Sequence, residues 1–462
     1  MRALWGTAVG VLVFAACSHH EPARVVVDAG SDAGALSDAG PDGGPPDAGP
    51  PDAGPDAGPP DAGAPDAGWP GSWETLGPPL GHEAQVYPAI ALDALGAPLV
   101  AYSPLVESPG VVATELHVAR WSGSAWEPLG GTIASSTDRL PYAAPLFVRL
   151  VTDGTGRPVL AFGDSGPGAS IGAFPLQTWT FEGNAWKVVP ISITAPDLSG
   201  IALATGADGR VRLVFATSHA LRVLVLGASG WSEELPPLVD DAGVSEPDLA
   251  LAQDGTSLVA FSQAASPGSF GSLRAVRGTD AGWSDLGLPS PVGQGLLFHS
   301  PRIRARTDGG LVVAASEWHF DEVSKRQRGV AVPVFALGEG GAWSMLEDGG
   351  QPGGFALSEP IPGAPVDLQL ANDIAVVVST GADAGVSLRA LVAPGRTLVA
   401  PPLGDLGAGT LLLMPDGTSL VGAVMPVNPV IGPEAADGGQ VQILHFTGTP
   451  AALSTSEAGG AR

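Results

Sequence analysis

Short apolar runs separated by glycine-centred turns recur in a fixed order along the chain after residue 72. The template is Pro88-Ala-Ile-Ala-Leu-Asp-Ala-Leu-Gly96-Ala-Pro-Leu-Val-Ala101, and residues 247–260 and 301–314 keep the same distances between proline, glycine and alanine. Alternating apolar residues on both sides of such a turn predict β-hairpins. No stretch carries a convincing helical period, so the pattern predicts an all-β fold.

Each hairpin is followed by a third apolar run and then by a marker tryptophan that begins a fourth. The markers lie 53, 60, 45, 52 and 60 residues apart, at Trp73, Trp126, Trp186, Trp231, Trp283 and Trp343. Four short strands in each copy of a repeated unit are typical of a β-propeller blade. We therefore predict a seven-bladed β-propeller over residues 72–462. Six blades are the alternative, because the sixth unit has no marker tryptophan.

The two ends of this region complement each other. The last unit has three predicted strands and no fourth, while the motif Trp73-Glu-Thr-Leu-Gly77 stands alone at the amino end. We expect residues 73–77 to supply the outer strand of the last blade. Closing the ring in this way would remove exposed sheet edges.

The segment Trp121-Ser-Gly-Ser-Ala-Trp126-Glu-Pro-Leu-Gly130 resembles the W-x-G-x-x-W-x-x-L-G signature of sialidase-like and other bacterial propellers. That resemblance implies a fold and leaves the activity open. The Ser-x-Asp-x-Gly-x-x-Trp box of sialidase propellers is not found in this sequence, which argues against a glycosidase.

The amino end predicts an exported protein. Arg2 precedes an apolar run from Ala3 to Ala16, and this run is too short for a membrane span but fits a signal peptide of residues 1–16. The ending Phe14-Ala15-Ala16-Cys17 resembles a bacterial lipobox, which implies that Cys17 is lipidated and anchors the protein in the cell envelope. Ser18 follows the cysteine, which favours the outer membrane over the inner one. An ordinary secretory signal cut after Ala16 is the alternative.

Residues 17–71 form a predicted linker with repeated Pro-Asp-Ala-Gly. Such a segment has almost nothing to bury, so we expect it to be disordered. The whole chain has a net charge of −26 and two lysines, which argues against nucleic acid as a partner.

Loop lengths predict which face of the propeller is free to bind. The turns after the first and third strands of each unit are short, and the loops after the second and fourth strands are long. In a propeller the two long sets share one face, and variable loops on a rigid scaffold are where binding usually resides. We therefore expect the site on this long-loop face and at the mouth of the central channel.

Two groups of residues on that face are candidates for ligand binding. The first is the loop of residues 317–328, in which Trp318 could stack on a sugar or peptide and three cations could meet an anion: Lys325, Arg326 and Arg328. His319, next to Trp318, is a further candidate for ligand binding. The alternative is a hairpin extension with a solvated tip.

The second group is Arg302, Arg304 and Arg306, on a strand predicted to line the channel, with Arg149 at the position of Arg302 in the second unit. Clustered arginines could bind a carboxylate or phosphate bidentately, and sialidases use such a cluster. The alternative is that these arginines pair with carboxylates between blades, such as Asp248.

The sequence nominates no catalytic residue, metal ligand or cofactor. No histidine pair has zinc-ligand spacing, and an acid/base pair would have to come from residues such as Asp138, Asp321 and Glu322. We therefore predict a lipid-anchored, monomeric envelope propeller that binds a glycan, peptide or envelope protein without catalysis. The alternatives are a scaffold subunit of an envelope complex, and a glycosidase or polysaccharide lyase acting at the channel mouth.

Overall fold

A computed structural model describes parts of the chain between residues 67 and 447, in short ranges with gaps. These ranges are 67–68, 71–81, 88–108, 111–136, 146–164, 175–193, 197–240, 243–264, 271–279, 281–288, 296–321, 326–338, 340–346, 355–356, 366–381, 385–393, 396–400, 406–414, 420–426 and 441–447. The predicted signal peptide, Cys17 and the linker up to residue 66 lie outside them. Every regular element in the described ranges is a β-strand.

Two short strands come first in the chain, β1 (Ala67–Gly68) and β2 (Trp73–Thr75). The first sheet contains β3 (Ala89–Leu92), β4 (Pro98–Tyr102), β5 (Leu105–Ser108), β6 (Val111–Trp121), β7 (Trp126–Pro128) and β8 (Ala134–Ser136). The second contains β9 (Leu146–Thr152), β10 (Pro158–Gly163), β11 (Leu176–Glu182) and β12 (Ala185–Val188). The third contains β13 (Leu198–Thr205), β14 (Val211–Thr217), β15 (Ala220–Gly227), β16 (Gly230–Glu233) and β17 (Leu238–Val239).

The fourth sheet contains β18 (Val244–Leu251), β19 (Ser257–Ala264), β20 (Gly271–Thr279) and β21 (Gly282–Asp285). The fifth contains β22 (Leu296–Ala305), β23 (Leu311–Asp321), β24 (Arg326–Val332), β25 (Val334–Leu337), β26 (Trp343–Met345) and β27 (Phe355–Ala356). The sixth contains β28 (Asp367–Ala371), β29 (Ile374–Gly381), β30 (Gly385–Ala393) and β31 (Arg396–Val399), and the seventh contains β32 (Leu406–Leu413), β33 (Leu420–Pro426) and β34 (Gln442–Phe446).

The first strand of each sheet lies towards the centre of a ring. These strands contact one another in the order β3, β9, β13, β18, β22, β28 and β32, and β32 in turn contacts β3. The prediction of an all-β propeller is therefore confirmed. Six of its sheets take their antiparallel strands from one stretch of chain each. The seventh combines both ends, because β2 pairs with β34 and places Trp73 opposite Phe446.

Neighbouring sheets are held together by the marker tryptophans. The indole N–H groups of Trp126, Trp186 and Trp343 donate hydrogen bonds of 2.7–2.9 Å to carbonyls of the preceding sheet. The acceptors are the leucines of the repeated Trp-x-x-Leu-Gly motif, Leu76, Leu129 and Leu286. We call this arrangement the tryptophan clasp.

The glycine that ends the motif makes the clasp sterically feasible. Gly130 has φ +80°, and a Cβ placed there would lie 2.9 Å from Cδ1 of Trp186. A side chain at this position would meet both the strained left-handed backbone and the indole of the next sheet. The motif therefore encodes a contact between sheets as well as a turn.

Apolar residues fill the spaces between sheets and form the core. Between the first and second sheets, Leu99, Leu116, Leu160 and Phe162 are almost completely buried. Their positions follow the alternation of the strands, because successive side chains point to opposite faces of a sheet.

The clasp predicts the cost of enlarging its glycine. We expect Gly130→Ala to lower the free energy of unfolding by about 2–5 kcal/mol, since the left-handed backbone costs about 1–2 kcal/mol and overpacking about 1–3 kcal/mol. Urea denaturation followed by circular dichroism measures this change. Gly123→Ala is the matched control, because Gly123 also has a positive φ, +97°, but has no atom within 4 Å of the added Cβ. Equal losses in the two variants would show that the contact with Trp186 contributes nothing.

Candidate functional site

The first strands carry irregularities near their amino ends, on the side of the long loops. The pairing register shifts in five of them, β9, β13, β18, β22 and β32. At three of these places a residue other than glycine has a positive φ: Phe147 at 55°, Glu246 at 50° and Ser300 at 49°. Bulges redirect side chains, and strained backbone is concentrated at functional sites. The geometry therefore directs attention to the channel mouth around Glu246 and Ser300.

Two of the predicted arginines form ion pairs across neighbouring sheets. Arg304 Nη1 lies 2.7 Å from Asp248 Oδ2 of the fourth sheet, and Arg304 Nη2 lies 3.5 Å from Asp367 Oδ1 of the sixth. Arg302 Nε lies 3.3 Å from the same oxygen of Asp367. The structure thus shows the pairing with inter-blade carboxylates that was the structural alternative for these residues.

The two carboxylates also accept backbone hydrogen bonds from the next sheet. Asp248 Oδ2 accepts from the N–H of Ile303 at 2.8 Å, and Asp367 Oδ2 accepts from the N–H of Leu411 at 2.8 Å. Each carboxylate therefore joins two sheets and an arginine, and is not free to act as an acid or base.

Arg149 lies in the same channel without such a partner. Its Nη1 donates to the carbonyl of Val148 at 3.0 Å, and no carboxylate of the described residues lies within ion-pair distance. Burial and the charge of Arg302 lower its pKa to about 10, although Asp248 and Asp367 oppose the shift. A half-buried cation that lacks a direct ion-pair partner is costly, and its electrostatic interaction with an incoming anion is strong.

A carboxylate and an imidazole meet beside these arginines. His299 Nδ1 lies 3.3 Å from Glu246 Oε1, and the N–H of Ser300 donates to the other carboxylate oxygen. The side chains are 32% and 35% exposed, so solvent and small ligands can reach them. This pair is not apparent from the sequence, because its members lie 53 residues apart on different sheets.

The two groups shift each other's titration. Burial favours neutral Glu246, but the hydrogen bond and charge of His299, with the N–H of Ser300 and Arg302, hold its pKa below the ordinary value. Burial likewise opposes protonation of His299, and Glu246 outweighs it and raises the pKa of His299. Each group therefore favours the charged form of the other, and the carboxylate stabilises the imidazolium whenever His299 takes up a proton.

Trp318 does not offer the exposed ring that stacking requires. It lies on β23 opposite Leu297, it is 1% exposed, and its indole meets the His299 ring edge-on at a centroid distance of 6.0 Å. This position corrects the expectation that Trp318 stacks on a ligand. Its burial follows from the strand, which continues to Asp321 where the sequence suggested a loop.

The remaining members of that segment lie on a hairpin. His319 pairs with Arg328, and Asp321 pairs with Arg326, across β23 and β24. Their side chains are not among the described ones, and Lys325 lies outside the described residues, as do Asp138 and Glu322. The structure thus brings together Arg149, Arg302 and Arg304, while it leaves the cations of residues 325–328 as a prediction.

Hydrogen bonds join neighbouring sheets at the tight-turn side of the channel. Thr152 Oγ1 donates to the carbonyl of Leu92 at 2.8 Å, and Thr205 Oγ1 donates to the carbonyl of Thr152 at 2.6 Å. The tight turns of the second and third sheets are also in contact, since the N–H of Gly154 donates to the carbonyl of Gly209 at 2.8 Å. These bonds fix the tight-turn rim, so the long-loop mouth is the side on which ligand binding can vary.

The described residues contain neither a candidate metal-binding cluster nor a candidate membrane-spanning helix. No group of three or more histidine, cysteine, aspartate or glutamate side chains in these ranges is placed to hold a metal ion. Within the same ranges there is also no helix of the length and apolarity that crossing a membrane requires.

Comparisons with known proteins show the fold. No protein-family model matches the chain, and a sequence search of characterised proteins finds no match. Among solved structures, an ulvan lyase of polysaccharide lyase family 25, bound to -[GlcA(1-4)Rha3S]-, is similar at a TM-score of 0.51 and 12% identity, over 82% of this chain and 95% of that one.

Two further structures are more distant. A protein of unknown function from Dyadobacter fermentans has a TM-score of 0.47 at 12% identity, over 81% of this chain and 98% of its own. An α-L-arabinofuranosidase of Fusarium graminearum in complex with arabinobiose has a TM-score of 0.46 at 13% identity, over 80% and 96%. At these identities the likeness is one of fold alone.

The unpaired state of Arg149 has a consequence for stability. Its pKa in the folded protein lies below the ordinary arginine value, so at any pH below about 10 its charge favours the unfolded chain. We expect Arg149→Met to raise the free energy of unfolding by about 1–2 kcal/mol, because methionine removes the half-buried charge and keeps an apolar stem. Urea denaturation at neutral pH measures the change. A loss of stability would show that Arg149 has a compensating partner.

Proposed function

We propose that this protein binds an acidic glycan in the central channel, with the anionic group of a sugar held by Arg149. The observation that carries this proposal is a half-buried guanidinium that has no carboxylate within ion-pair distance in the described part of the channel. Arg302 and Arg304 have their carboxylates, so Arg149 is the cation with free donors. A guanidinium presents these donors in a fork that suits a carboxylate or sulfate.

The glycan as ligand class is supported by analogy of fold. A structural neighbour with the same ring of sheets is bound to a saccharide that contains glucuronic acid and a sulfated rhamnose. Propellers present polar groups from several strands around one axis, which suits a ligand with many hydroxyls. The neighbour's enzymatic activity is not transferred by this argument.

The remaining part of the proposal concerns location. We propose that residues 1–16 are removed, that lipidated Cys17 anchors the chain in the outer membrane, and that residues 17–71 tether the propeller. Two or more acyl chains on one residue anchor a protein stably, which a single chain does not. A tether would let the channel sample the surroundings of the membrane and capture a soluble or wall-bound polymer.

Removing the unpaired cation should weaken binding. We expect Arg149→Met to weaken the affinity of the full-length protein for polygalacturonate at least tenfold, because a charge-assisted hydrogen bond contributes about 1.5–3 kcal/mol. Isothermal titration calorimetry measures the affinity, with dextran as the uncharged polymer. Arg210→Met is the matched control, since Arg210 is exposed and has no ion pair among the described residues.

The binding experiment separates the proposal from its main alternative. Equal affinities of the wild type and Arg149→Met would place the ligand elsewhere. No binding of any acidic glycan, together with a fixed protein partner in cross-linked cells, would instead support the scaffold subunit.

The anchor is tested independently of the ligand. In cells, we expect the wild-type protein to sediment with outer-membrane vesicles and the variant Cys17→Ala to be found in the soluble fraction. Release after cutting the linker with protease would show that the propeller itself does not hold the membrane. A Cys17→Ala variant that stays with the membrane would contradict the lipid anchor.

A further inference from the structure

Glu246 and His299 form an arrangement that binding alone does not require. The carboxylate faces Nδ1 of the imidazole, and Nε2 has no partner among the described residues. A carboxylate that holds one ring nitrogen fixes the ring and leaves the other nitrogen free to transfer a proton. Both residues lie at the strained bulges of β18 and β22, so the fold keeps them in contact although the backbone there is unfavourable.

The surroundings restrict what this pair could catalyse. Glycoside hydrolysis needs two carboxyl groups on either side of the scissile bond, one of them free to give a proton. Asp248 and Asp367, the other described carboxylates of the channel arginines, are engaged by arginines and by backbone N–H groups. In the described part of the same channel, the imidazole of His299 and the unpaired Arg149 are still available, and such a set suits removal of a proton next to a carboxylate.

We propose that the channel is the active site of a polysaccharide-cleaving eliminase for uronate-containing glycans, in which His299 is the catalytic base and Glu246 its positioning residue. This inference rests on the proposed binding of an acidic glycan at Arg149. It goes beyond binding, because it assigns a reaction to a pair of residues that the ligand's anionic group does not contact.

The reaction balances without a co-reactant. His299 Nε2 takes the proton from the ring carbon that bears the carboxylate, and the electron pair of that C–H bond becomes a carbon–carbon double bond. The bond between the neighbouring ring carbon and the glycosidic oxygen breaks, and the proton passes from the imidazolium to the leaving oxygen. Nothing is oxidised or reduced overall, and the polymer ends in an unsaturated uronate and a new hydroxyl.

Arg149 and the base have separate roles in this step. Removing a proton beside a carboxylate places further negative charge on that group, which a fixed cation in a site of low dielectric stabilises. Glu246 holds the imidazole and stabilises the imidazolium that forms. Arg149, Glu246 and His299 lie on the first strands of the second, fourth and fifth sheets, and the closed ring arranges these strands around one channel.

The test uses the full-length protein with polygalacturonate, alginate and hyaluronan as probes. The unsaturated uronate absorbs in the ultraviolet, so absorbance that grows with time reports turnover, and mass spectrometry of the products identifies the double bond. Dextran has no carboxylate and is expected to give no signal. We expect turnover with at least one of the three acidic polymers.

Variants assign the roles. We expect His299→Gln to lower turnover by about 10²–10⁴-fold while the affinity for the polymer changes less than threefold. His117→Gln is the matched control, because His117 also pairs with a carboxylate, Glu115 at 2.8 Å, but lies on β6 away from the first strands. Unchanged turnover in His299→Gln would overturn the assignment of the base.

The pH profile tests Glu246. Neutral His299 is the base, so the turnover number should rise as pH increases through the pKa of His299. Because Glu246 raises that pKa, Glu246→Gln should move the rising limb to lower pH, which a merely structural loss would not do. Thermal unfolding of each variant checks that it is folded.

The two proposals fail differently. A polymer that binds through Arg149 but gives no unsaturated product at any pH would overturn the eliminase and leave the binding proposal standing. Absence of both binding and turnover for every uronate polymer would overturn both.

Discussion

The tryptophan clasp is the interaction on which the rest of this structure depends. A propeller sheet cannot bury its two faces alone, so each sheet needs its neighbours at a fixed distance and angle. The indole of one sheet and the Trp-x-x-Leu-Gly turn of the preceding sheet supply a hydrogen bond and a large apolar contact together. Since the contact is directional, it sets the positions of the first, second and fifth sheets against the sheets that precede them. The first strands, and with them the channel, take their places accordingly.

A rigid ring explains how charged groups can occupy the channel. Arg302 and Arg304 share Asp248 and Asp367 across three sheets, and both carboxylates also accept backbone N–H groups. Such pairs resist rearrangement, because separating one partner would leave a buried charge. Arg149 therefore cannot relieve its own cost by taking a carboxylate from a neighbour. The same constraint explains the positive φ angles of Glu246 and Ser300, because contacts with several sheets can hold a residue in an unfavourable backbone conformation.

The repeated hairpins of this molecule were predictable from the sequence, whereas the contacts at the channel mouth, which do not repeat, were harder to predict. Alternating apolar runs and Asp-Gly turns predicted the hairpins, because those signals are local. The candidate channel arginines were also found, because Arg149 and Arg302 occupy equivalent positions in two units. The Glu246–His299 pair could not be predicted from local sequence signals, because a bulge on each strand and the closure of the ring bring the two residues together. The ring of Trp318 was expected to be exposed on a loop, because charged residues follow it in the sequence. It is buried, because the strand continues through this segment.

The charge of the whole chain bears on how an anionic polymer could reach the channel. With a net charge of −26, the chain repels such a polymer at long range, so electrostatic steering would slow association. Screening confines that repulsion to about 8 Å at physiological ionic strength, whereas the interaction with Arg149 acts at contact in a site of low dielectric. Binding of this kind depends on frequent encounters more than on attraction from a distance. The tether that we propose for residues 17–71 would supply those encounters at a membrane where the polymer is concentrated, and would offset the long-range repulsion.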